Sequence, residues 1–129
     1  RLRLLDSGEQ TCAELGPRLR CRPSSGHTEG MLLPQLLGAR ATAVFCADLI
    51  PGVPWVHLPV TMGYDRFPEQ LVDEKAALYR ELGPGAVLLF THDADTAAAT
   101  LSVDPKGRYG IEVRFAELER LDLDQSSPS

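Results

Sequence analysis

The sequence predicts a mixed α/β layer structure in which strands come first, one long helix follows, and further strands close the chain. Three observations predict it. Short runs upstream of Cys46 alternate apolar and polar residues with the period of a strand. A window from Pro68 to Leu82 repeats Leu71, Leu78 and Leu82 at helical spacing. A last pair of apolar runs flanks the turn Asp104-Pro105-Lys106-Gly107, a strong hairpin signal.

Residues 1–5 and 18–22 read as the first two strands, separated by a turn-like stretch with Gly8, Gly16 and Pro17. In the second run Leu19 and Cys21 share one face, and Arg18, Arg20 and Arg22 share the other. A tight polar segment over 23–30 follows. Residues 31–37 and 41–46 read as two more strands joined at Gly38-Ala39-Arg40, although Pro34 cannot donate to a ladder. Over 47–64 the prolines Pro51, Pro54 and Pro59 block a regular helix, and Trp55 reads as a packing anchor for this loop ahead of a substrate platform. Pro68 suits a first helical position and Glu69 suits the positive end of the helix dipole. Asp73, Glu74 and Lys75 fall between the apolar positions and are expected to face water. Gly83 and Gly85 end the helix. Residues 86–90 form a continuous apolar run, as in a strand buried on both faces. Strands over 97–103 and 109–115, a short amphipathic stretch over 117–123 and a polar tail complete the chain.

The 129 residues make one domain and no more. With 43% hydrophobic and 24% charged residues the composition is that of a folded globular protein, which excludes intrinsic disorder and a rod. Asp and Glu outnumber Lys and Arg by 18 to 13, and no basic stripe is visible, so a nucleic-acid partner is not expected. No apolar run approaches the roughly 18 residues that span a bilayer, so no membrane partner is expected either. The three cysteines, Cys12, Cys21 and Cys46, fit no metal knuckle and read as reduced thiols in a cytoplasmic protein. The chain begins at Arg1 without Met and enters a strand-like run at once, as a segment of a longer protein would.

Candidate chemistry concentrates at predicted strand ends. His27 lies in a glycine-flanked turn before one strand, Asp48 lies just past a second, and His92 follows a third. A rigid sheet can hold side chains at such points while leaving one face open. Imidazole and carboxylate are suitable donors for zinc and similar divalent ions, though an isolated His or Asp at a strand end more often satisfies local polar groups.

Three segments, taken in order, resemble the later motifs of the metallo-β-lactamase superfamily: Gly26-His27-Thr28-Glu29-Gly30, Phe45-Cys46-Ala47-Asp48-Leu49 and Phe90-Thr91-His92-Asp93. The resemblance covers 27–103 and implies half of a four-layer αββα sandwich. It implies that His27 completes one metal's ligands, that Asp48 bridges two metals and is catalytic, and that His92 belongs to the second metal. The implied cofactors are two divalent ions, zinc first, with iron or manganese as alternatives. The implied activity is hydrolysis of an ester, thioester, lactone, amide or phosphoester by a metal-activated hydroxide. Tyr64, next to the helix start, is a candidate substrate contact or an ordinary packing residue. The family's first motif, His-x-His-x-Asp-His, is absent, since no His precedes His27. Residues 1–129 therefore read as the C-terminal half of such a domain, inactive alone. Its expected partners are the missing N-terminal half or a second chain, a small-molecule substrate, and in one alternative a further copy of itself.

The rival reading is a metal-free structural or interaction domain that keeps the fold. A nucleophilic serine is disfavoured because no Gly-x-Ser-x-Gly elbow is present. Cys46 shares a strand face with Val44 and reads as core, and His57 reads as an ordinary loop residue.

Overall fold

The computed structural model of the chain describes Leu4, Thr11 and residues 13–125; the strand expected over 1–5 and Cys12 otherwise lie outside the described residues. Six strands form one mixed sheet in simple sequence order: β1 (Leu19–Ser24), β2 (Met31–Leu37), β3 (Thr42–Phe45), β4 (Val87–Leu89), β5 (Ala98–Val103) and β6 (Tyr109–Phe115). Every neighbouring pair is antiparallel except β3–β4, which is parallel. That one parallel pairing requires a crossover. It is supplied by the Pro-rich loop and by α1 (Pro68–Leu82).

Helix α1 has the bounds that the periodicity predicts. Pro68 occupies its first turn, and Gly83 ends it at φ 70°, with its N–H on the Tyr79 carbonyl. The expected β2–β3 hairpin is present, and Pro34 lies beyond the last β2–β3 register pair, Gln35↔Val44, where its missing donor costs that ladder nothing. The amphipathic stretch expected over 117–123 forms no regular element, yet Leu118, Leu121 and Leu123 pack on the sheet.

The two sheet faces differ. On one, Leu33, Val44, Cys46, Leu88 and Leu101 meet Leu71, Leu78 and Tyr79 of α1, and Trp55 packs at the margin of this core as the sequence suggests. On the other, Ala43, Val87 and Ala98 are covered by the 118–123 segment, while Leu32, Leu36, Phe45 and Val113 stay exposed. The described residues thus form a sheet with one long helix on one face and an irregular segment on the other.

The expectation that Glu74 and Lys75 face water is corrected. Lys75 is fully buried, because it lies four residues from both Leu71 and Tyr79 and so falls within the apolar stripe. Its Nζ donates to the carbonyls of Trp55, His57 and Val60 at 2.9, 3.3 and 2.7 Å, closing the Pro-rich loop on the helix. Burial lowers its pKa to about 8, against the attraction of Asp65. Tyr79 secures the same loop through its hydroxyl on the Val56 carbonyl.

Glu74 reaches the turn before His27. Its carboxylate accepts the Ser24 hydroxyl at 2.6 Å and the N–H groups of Ser25 and Gly26 at 2.9 and 3.1 Å. Desolvation opposes ionisation of Glu74, and these donors with Gln70 outweigh it, so the carboxyl titrates below its ordinary range. The turn also lies directly against α1. A Cβ on Gly26 would stand 2.5 Å from Leu71 Cα, which is why glycine opens this motif. Gly30 closes it at φ 80°, in the left-handed region. Two backbone bonds, Phe67 N–H to Gly26 and Arg66 N–H to His27, complete the attachment.

Two outcomes follow from this packing. Gly26→Ala and Glu74→Ala should each lower stability by about 1–3 kcal/mol in urea titrations, the first by overpacking against backbone and the second by stranding two amide donors. Cys46 is fully buried, and burial pushes its thiol up to about 12 from 9.0. Above the unfolded pKa the unfolded chain has released this proton while the folded chain keeps it, so stability falls as pH rises from 9 towards 12. Between pH 8 and 10 the wild type should lose on the order of 1 kcal/mol more than Cys46→Ala. Native Cys46 should also resist alkylation that proceeds readily in urea.

Candidate metal centre

The three residues singled out by sequence come together at one end of the sheet. Parallel pairing aligns Phe45 with Leu89, and Asp48 and His92 each lie three residues beyond those partners. The alignment continues past the strands through the Cys46 N–H on the Leu89 carbonyl and the Thr91 hydroxyl on the Ala47 carbonyl. Ala47, immediately before Asp48, holds φ 44°, a left-handed conformation that costs a non-glycine residue energy and that these neighbouring bonds impose. The His92 N–H bonds the Pro51 carbonyl. Asp93 braces the same corner by accepting the N–H groups of Val53, Asp95 and Thr96. Desolvation alone would raise the Asp93 pKa, and those backbone donors outweigh it, so the carboxyl titrates below its ordinary range.

Asp48 is the hub. Its Oδ2 lies 3.5 Å from His27 Nε2 and its Oδ1 lies 3.1 Å from His92 Nε2, so each imidazole addresses a different carboxylate oxygen. His27 is largely buried, with 16% of its side chain exposed, whereas His92 is 67% exposed and Asp48 lies between them at 37%. Among the described residues no three His, Cys, Asp or Glu groups close around a single ion position; the donors pair two by two on Asp48. Two donors on one tetrahedral zinc stand roughly 3.4 Å apart, given bonds of about 2.0–2.2 Å. The His27–Asp48 separation matches that spacing, and the His92–Asp48 separation is closer to a hydrogen bond. The donor types suit a divalent ion, and the spacing matches one between His27 and Asp48.

Tyr64 is 76% exposed at the rim, its ring edge-on to His27 with centroids 6.1 Å apart. His57 is exposed and stands apart from the trio, and Cys46 is core.

One participant escaped the sequence reading. Asp65, with 1% of its side chain exposed, places Oδ1 2.7 Å from His27 Nδ1. Its Oδ2 accepts the Met62 N–H at 2.6 Å. The signal for it was faint: an acidic residue just before a helix, but not at the N-cap, which is Phe67.

No family model matches the chain, and no curated protein matches it. Solved structures do. A probable metal-dependent hydrolase from Staphylococcus aureus superposes with a TM-score of 0.60 at 23% identity over 74% of this chain. The hydrolase AbOPH of the β-lactamase superfamily gives 0.62 at 16% identity over 81%. AidC, a dizinc quorum-quenching lactonase solved with the product N-hexanoyl-L-homoserine, gives 0.58 at 15% identity over 84%. The chain spans only 36%, 35% and 36% of those three proteins. Its sheet and helix have the fold of part of each of these three proteins.

Proposed function

We propose that this chain is the C-terminal half of a metal-dependent hydrolase domain, one half of an αββα sandwich. The observation that carries this reading is the placement of His27 and His92 Nε2 against opposite oxygens of one carboxylate, Asp48. Such a carboxylate is suited to bridging two divalent ions, zinc first, with one imidazole on each. When bound, a divalent pair lowers the pKa of coordinated water to about 7 and offsets negative charge that develops on a carbonyl or phosphoryl oxygen.

The chain's own residues then divide the work. Asp48, on a backbone held in place by Thr91 and the β3–β4 pairing, would be the carboxylate shared by the two ions. His27, clamped in its turn by Glu74 and the α1 backbone, would supply a fixed imidazole donor at the buried side. His92, braced through Asp93, supplies one at the open side. Tyr64 stands at the rim where a substrate would arrive, offering a ring face and a hydroxyl. The dizinc lactonase neighbour makes a small ester or lactone the substrate class to test first. Three donors leave each ion short of ligands. The remainder would come from an upstream half or a second chain, and exposed Leu32, Leu36 and Phe45 on the face opposite α1 offer that partner an apolar surface.

In protein assembled with its complementary half, Asp48→Ala is expected to abolish retention of zinc, measured by elemental analysis after dialysis. In the same assembly it should cut hydrolysis of a lactone, thioester and phosphoester panel by about 100-fold or more. Full metal content with unchanged turnover would sink the bridging role, and a wild-type assembly with neither metal nor turnover would leave the metal-free interaction domain as the better reading.

A further inference from the structure

We propose that Asp65 is a positioning residue that fixes the tautomer and ring orientation of His27, so that the Nε2 lone pair faces Asp48. This rests on the metal-centre reading given above. The Asp65 carboxylate is enclosed and each of its oxygens is used: Oδ2 is anchored by the Met62 N–H, which aims Oδ1 at His27 Nδ1. A buried carboxylate needs compensating charge. The buried ammonium of Lys75, held on the carbonyls of the Pro-rich loop, attracts it.

The consequence for His27 follows from donor and acceptor bookkeeping. An ionised carboxylate only accepts, so a 2.7 Å contact requires the proton to sit on Nδ1. In a neutral ring Nε2 is then an unprotonated acceptor. It stands 3.5 Å from Asp48 Oδ2, which is also an acceptor. Two facing lone pairs repel unless a cation lies between them. Asp65 thereby leaves the Nε2 lone pair of His27 free to face a cation, and the Lys75–Asp65–His27–Asp48 line links the α1 core to the open end of the sheet. The same bookkeeping places a proton on His92 Nε2, which stands 3.1 Å from Asp48 Oδ1, so no carboxylate directs the Nε2 lone pair of His92 toward a cation in the way that Asp65 does for His27.

Long-range proton–nitrogen NMR of the imidazoles in the full 129-residue chain, metal-free and at mildly alkaline pH, tests this directly. The expected wild-type result is a proton on His27 Nδ1 and none on Nε2. In Asp65→Asn the side-chain amide can donate to Nδ1, and the His27 proton should move to Nε2. Added zinc should then perturb His27 in the wild type at concentrations roughly tenfold or more below those needed in the variant. A wild-type His27 that carries a proton on Nε2 overturns the proposal, and needs no variant to be seen. A variant whose tautomer and zinc response match the wild type overturns it as well. A wild-type ring with the expected tautomer but no response to zinc, both in the chain alone and when it is assembled with its complementary half, supports the positioning by Asp65 and overturns the metal reading instead.

Discussion

The parallel pairing of β3 with β4 is the constraint on which the rest of the molecule depends. It is the only parallel step in the described sheet, and it forces the chain to leave at one end, cross, and re-enter beside itself in the same direction. Asp48 and His92 consequently emerge together, in register, although they lie 44 positions apart in sequence. An antiparallel pair would have sent them to opposite ends. The crossover also puts α1 across the sheet face, where Leu71, Leu78 and Tyr79 complete the larger core.

The helix does more than cover that core. Two of its polar residues turn inward to hold the backbone that carries the candidate site. Glu74 gathers the Ser24–Gly26 turn and Lys75 gathers the Pro-rich loop. Burying such groups is costly unless each is paired, and here each finds hydrogen-bond partners. The close approach of Gly26 to Leu71 makes the same attachment through shape. Rigidity on this side fits the burial of His27, while His92 and Tyr64 remain open to solvent.

Much of this was legible in the residues. The helix over Pro68–Leu82 and the strands over Met31–Leu37 and Tyr109–Phe115 have the bounds that periodicity and turn chemistry indicate. Those signals are local: apolar spacing, a proline at the helix start, a glycine at its end. The grouping of His27, Asp48 and His92 was legible only through ordered motifs, because spacing alone leaves each as an ordinary polar residue. Asp65 and Glu74 were not legible in their roles, since both act on residues about 40 or more positions away. The burial of Lys75 could have been read from its place between Leu71 and Tyr79, but its three carbonyl partners could not.

The sequence by itself determined most of the described elements, their order, the acidic globular character of the chain and the residue types suited to holding a divalent ion. Periodicity, turn residues and donor chemistry are properties of short segments, and short segments suffice for them. Only the tertiary structure decided that His27 and His92 meet different oxygens of Asp48, that Asp65 stands behind His27, and that Lys75 points inward. These depend on which strand ends are neighbours and on how closely α1 approaches the turn before His27. Both are outcomes of packing between segments far apart in the chain, where no local pattern carries the information.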